Sequence, residues 1–156
     1  MTTPAVANSG ATYKALVTQG MQASIAARTR AGADLKSPIC VYALCEAHGV
    51  TVRFNDISME GMYDRSPKPR IHLSALRPLA RRAFTCAHEL GHHVFGHGST
   101  IDELRDDHAK NAERPPAEII ADAFGAFVLM PTLGLREAFA KRGLDPNCAR
   151  ATDMYA

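Results

Sequence analysis

The sequence predicts an α+β domain, a small sheet set against several helices, and three observations carry that prediction. Two stretches, from about Arg77 to Gly96 and from Pro115 to Pro131, repeat apolar residues at three- and four-residue steps. Between them and the N-terminal third of the chain, residues 50–73 hold short runs of strand character bounded by turn residues. At 156 residues, 46% hydrophobic and 22% charged, the chain has the material for one domain and the composition of a globular protein.

The elements follow in order. Residues 1–10 are small and polar and read as a disordered terminus. Residues 11–30 are helix-prone, with Leu16, Gly20, Ile25 and Ala26 as a loose inner face. Ser37-Pro38 reads as a helix cap followed by proline in the first turn, opening a helix that ends near Gly49. Val50–Phe54 and Arg70–Leu73 alternate with period two, and Gly61-Met62-Tyr63 completes a sheet of about three strands. The next helix, Arg77 to Gly96, has a stripe wide enough for the centre of the domain. On it Phe84, Gly91 and Phe95 are expected in the core, with Arg81, Thr85, His88 and His92 facing a cleft. Residues 98–114 are polar and charged and read as a surface loop. Pro115-Pro116 opens a helix that Pro131 closes, and a last helix at 133–142 ends at Gly143. The domain is thus expected to span residues 1–143, with 144–156 as a tail.

Several function classes fall away. Eighteen Lys and Arg against sixteen Asp and Glu leave a charge of +2, too weak to argue for nucleic acid. No apolar run reaches the roughly eighteen residues that a membrane span needs, and no signal peptide is evident. Cys40, Cys45, Cys86 and Cys148 form no CxxC pair, which excludes a zinc ribbon and a thioredoxin-type motif. Cys86 reads as a small core residue, Cys40 and Cys45 as free thiols, and the compartment as the cytoplasm.

The histidines carry the chemistry. His88-Glu89-Leu90-Gly91-His92 is an HExxH motif inside the strongest helix. Residues four apart share a helix face about 6 Å apart along the axis, so both imidazoles can reach one zinc ion. Glu89 is rotated about 100° from His88, away from ligation and toward a water at the metal. A catalytic zinc needs a third ligand. The pattern HExxHxxGxxH fails, because position 95 is Phe and position 98 is Gly, and His97 comes one residue early. Glu118, in the first turn of the helix after Pro116, is the better candidate, and Asp122 follows it by one turn. Two carboxylates on an otherwise apolar helix need partners. A metal for Glu118 and a ring N–H of His88 or His92 for Asp122 would supply them.

Arg82-Ala83-Phe84-Thr85-Cys86-Ala87-His88-Glu89-Leu90-Gly91-His92 resembles the "RFTLAHELGH" signature of the ImmA/IrrE family of zincin-like metallopeptidases. Glu118, Ala121, Phe124, Leu129, Met130 and Pro131 match that family's "E..AN.FA..LLMP" helix, with Asp122 in place of Asn and Gly125 in place of Ala. Gly61-Met62-Tyr63 and Arg70-Ile71-His72-Leu73 resemble its strands. The resemblance covers roughly residues 38–143. It implies one zinc per chain on His88, His92 and Glu118, with Glu89 as general base in peptide-bond hydrolysis. It further implies a protein substrate, often a helix-turn-helix repressor, in stress response, mobile-element induction or toxin–antitoxin pairs. In longer members a helix-turn-helix follows the peptidase domain, and residues 144–156 look like the entry to one.

A tetrahedral oxyanion wants a donor besides the metal. Tyr63, His72, His93 and Arg81 are candidates that the sequence does not rank. A substrate strand is expected at an edge formed by Arg70–Leu73. His93 and His97, another i, i+4 pair, read as a capping or solvated pair at the helix end. Two rival readings keep the same residues: a non-catalytic zinc-binding regulator or toxin component that acts by binding its partner, and a closed structural zinc site.

Overall fold

The alternating runs pair into one mixed sheet. In the computed structural model, which describes residues 9–102 and 114–150, the strands are β1 (Thr51–Asn55), β2 (Gly61–Asp64), β3 (Arg70–Ser74) and β4 (Thr100–Asp102). Their order across the sheet is β1-β3-β2-β4. β1 and β3 are parallel, with Thr51 opposite Arg70, and β2 runs antiparallel to both β3 and β4. Inward residues alternate on the two inner strands: Gly61 and Tyr63 on β2, Ile71 and Leu73 on β3 are buried. β1 is exposed along most of its length.

Two expectations change here. The sheet has four strands, because residues 100–102 of the stretch read as a loop pair with β2; the following residues, 103–113, lie outside the described residues. The segment Arg70–Leu73 is not an edge. β3 is bonded to β1 on one side and β2 on the other, so no strand can add to it, and among the described residues the edges are β1 and β4.

Among the described residues five helices accompany the sheet: α1 (Ser9–Arg30), α2 (Val41–Ala47), α3 (Leu79–Val94), α4 (Pro116–Leu129) and α5 (Thr132–Lys141). Of the expected disordered terminus, Ser9 and Gly10 open α1 and the rest lies outside the described residues, as do residues 151–156 of the tail. Helix α2 begins at Val41, later than Ser37-Pro38 suggests. The Ser37 N–H is held by Asp34 Oδ1 and its carbonyl by Arg28, which keeps residues 34–37 in a turn. The inner face of α1 is Gly20, Ser24, Ala27 and Arg28, while Ile25 and Ala26 point outward.

Helix α3 packs on β2 and β3, and α4 lies between α3 and α1. From Thr85 to His92 every residue of α3 is buried. Its N-terminal turns are not: Leu79 is 66% exposed, and Phe84, expected in the core, is 37% exposed beside Tyr13 and Val17 of α1. The core is Leu44 and Cys45 of α2, the inward sheet residues, Cys86 and Leu90 of α3, and Phe124 and Val128 of α4. Cys45 Sγ and Cys86 Sγ lie 3.5 Å apart as buried free thiols. Among the described residues no single helix is long and apolar enough to cross a membrane.

Candidate active site

Small residues bring the two functional helices together. A Cβ on Gly91 would stand 3.1 Å from Ala121 Cα, and one on Gly125 would stand 3.2 Å from the His88 backbone nitrogen. With no side chain at either position, α3 and α4 approach closely enough for their polar groups to meet. Glycine in a helix interior costs about 1 kcal/mol against alanine, so this approach is an investment in position rather than in helix stability.

At the crossing, His88 Nε2 lies 3.0 Å from His92 Nε2. Glu118 reaches both rings, Oε2 at 3.5 Å from His88 Nε2 and Oε1 at 3.5 Å from His92 Nε2. One ligand atom from each of the three residues lies within 4.8 Å of the others. Donors around a tetrahedral zinc ion at about 2.0–2.1 Å stand about 3.3–3.4 Å from one another, and the 3.0 and 3.5 Å contacts lie near that spacing, the two at 3.5 Å being made by different Glu118 oxygens. The donor set, two imidazoles and a carboxylate, is also one that zinc accepts in catalytic sites.

The electrostatics point the same way. Burial works against charge on His88, but hydrogen bonds with Asp122 and Glu118 outweigh it and push the ring up to about 10. Burial, then the neighbouring His88, push His92 down to about 4. Without a metal, Asp122 and Glu118 thus favour positive charge on His88, and His88 in turn disfavours it on His92. Burial opposes the charge of Asp122 as well, and hydrogen bonds from His88 and Arg114 hold its carboxyl below the ordinary value. His88 Nδ1 meets Asp122 Oδ1 at 2.8 Å, and Arg114 donates to the other oxygen.

The other sequence-selected residues have separate partners. Glu89 is fully buried, and its Oε2 accepts a 2.8 Å hydrogen bond from the Thr100 hydroxyl on β4. Tyr63 is buried, and its hydroxyl meets His93 Nδ1 at 2.8 Å. His72 Nδ1 pairs with Asn55 Oδ1 on the outer part of the sheet, and Arg81 with the buried carboxylate of Glu60. Tyr63 and His93 thus partner each other, while His72 is engaged by Asn55 and Arg81 by Glu60. His97, read as a helix-end residue, places Nδ1 at 2.8 Å from His92 Nδ1. Thr100 and Arg114 carried no signal in the sequence, since both sit in the stretch read as loop.

The peptidase M78 family, described as the IrrE N-terminal-like domain, matches residues 45–151. The chain belongs to that family. No curated protein matches it. Membership in the M78 family makes the domain a peptidase-type fold, and the family's metallopeptidase character accords with the His88–His92–Glu118 cluster. The matched span takes in α3, α4 and all four strands.

Proposed function

We propose that this M78 domain is a zinc-dependent endopeptidase, with His88, His92 and Glu118 as the metal ligands and Glu89 as general base. The observation that carries the reading is the convergence of three ligand atoms from α3 and α4 within 4.8 Å, beside a buried glutamate on the same helix. A bound zinc ion would polarise the scissile carbonyl and make water acidic enough to attack near neutral pH. Glu89 takes the proton of the attacking water as its oxygen adds to the carbonyl carbon. It then passes that proton to the leaving nitrogen as the C–N bond breaks. Thr100 holds the Glu89 carboxylate in place through its hydrogen bond to Oε2. Asp122 holds His88 in the orientation that turns Nε2 toward Glu118.

The substrate we propose is a protein, a helix-turn-helix repressor by family resemblance, cleaved in the cytoplasm. The four free cysteines fit a reducing compartment. The test is Glu89→Gln. On the catalytic reading this variant keeps the fold and binds zinc but loses cleavage of the repressor, by roughly 10²–10⁴-fold for a general base. Full biological effect from the variant would replace this reading with a regulator that acts by binding.

A further inference from the structure

We infer that His97 is a positioning residue for the metal site, holding the outer nitrogen of His92 through an imidazole–imidazole hydrogen bond. The inference rests on the zinc reading above and adds to it a residue outside the ligand set.

The geometry comes from how α3 ends. Gly96 has φ of +68°, a left-handed conformation that suits glycine. Its N–H bonds to the His93 carbonyl at 3.1 Å, and the next N–H, of His97, reaches back to the His92 carbonyl at 2.9 Å. This double closure is the Schellman motif, in which the residue after the glycine lies over the residue five positions before it, normally in an apolar contact. Here those two positions are His97 and His92. Their rings stand 5.0 Å apart, and the Nδ1 atoms are 2.8 Å apart. Phe95 stacks on His97 with the ring planes 19° apart, which fixes its tilt.

Proton placement gives the contact its meaning. His92 turns Nε2 toward His88 and Glu118, so a ring that ligates there carries its hydrogen on Nδ1. That N–H needs an acceptor, and His97 Nδ1 is placed to be it, with the His97 hydrogen on Nε2. His88 has the same arrangement with Asp122 as acceptor. Each histidine of the motif therefore has an outer partner, one anionic and one neutral. The turn itself is closed by backbone bonds and does not need an imidazole at position 97.

The experiment is zinc titration against a chromophoric chelator for wild type, His97→Leu, His97→Asn and Glu118→Ala, with thermal unfolding of each metal-free form. Leucine suits the apolar contact of the motif and cannot accept a hydrogen bond. Asparagine can place Oδ1 where Nδ1 stands. We expect His97→Leu to lose about 10–100-fold in zinc affinity, as loss of an outer partner does elsewhere. His97→Asn should recover most of it, and all metal-free forms should unfold at the same temperature. If His97→Leu binds zinc like wild type while Glu118→Ala does not, the site stands and the role of His97 falls. Equal losses in the Leu and Asn variants, or a lower melting temperature for metal-free His97→Leu, also overturn it. A wild type without a tight site overturns the zinc reading and this inference together.

Discussion

His88 Nδ1 and Asp122 Oδ1 are 2.8 Å apart across the α3–α4 crossing, and Arg114 donates to the second oxygen of Asp122. The carboxylate is thus pinned from both sides, and the imidazole it holds keeps Nε2 aimed at Glu118. Removing the acceptor with Asp122→Ala is expected to weaken zinc binding by about 10–100-fold. Asp122→Asn keeps an oxygen for the Nδ1–H and should lose much less. Competition titration of both variants distinguishes an orienting hydrogen bond from a purely charge-based effect, in which the two losses would be alike.

Gly20 marks where α1 meets α4. A Cβ there would stand 2.7 Å from Ala123 Cβ and 2.8 Å from the Ile120 carbonyl oxygen, on atoms that cannot rotate away. Gly20→Ala raises helix propensity by about 1 kcal/mol. The forced separation of two packed helices costs about 1–3 kcal/mol, so a net loss of stability is expected. Thermal unfolding of the metal-free variant checks it, and a melting temperature above wild type would show that α1 can slide without cost.

Much of the site could be read from the sequence because it is local. HExxH on a helix and a glutamate one turn after Pro115-Pro116 each depend on spacing along a single element. The orders and pairings that depend on distant residues could not be read. β4 is three residues long, too short for alternation to register, and exists through its pairing with β2. The interior place of β3 follows from its parallel partner β1, which no run of residues reveals. Phe84 follows the apolar period of α3, but its turn overhangs the core and lines a groove with α1 instead. His97 was legible in principle. A glycine four residues after the second motif histidine, closing its helix, puts the following side chain over that histidine.

A charged residue in an amphipathic helix is expected on the surface, yet Arg28 is 1% exposed. Its guanidinium donates to the carbonyls of Val128, Asp34 and Ser37, tying the end of α4 to the turn after α1. Carbonyls at a helix C-terminus have no partner within the helix, which is what the arginine supplies. Arg28→Met fills the volume without donors. Water can reach the carbonyls of Asp34 and Ser37, which are exposed residues, but Val128 is fully buried. The expected cost is about 1–3 kcal/mol for that one stranded acceptor, read by urea unfolding. An unchanged midpoint would mean that α4 ends equally well without the tie.

Asp34, at the head of the same turn, gives a pH dependence whose sign can be worked out. Its Oδ1 accepts the N–H groups of Ser37 and Lys36, each at 2.6 Å. Those bonds, Ser37 first and then Lys36, hold the carboxyl at about 2, below its ordinary 3.8. A carboxyl whose pKa is lower in the folded state stabilises the fold only while ionised, so the contribution is complete above 3.8 and fades as pH falls toward about 2. Asp34→Ala removes it at every pH. The variant should therefore unfold at a lower urea concentration than wild type at neutral pH, and the gap should close as pH falls from 3.8 toward about 2. A gap that stays constant through that range would assign the effect of Asp34 to the conformation of the turn and not to its charge.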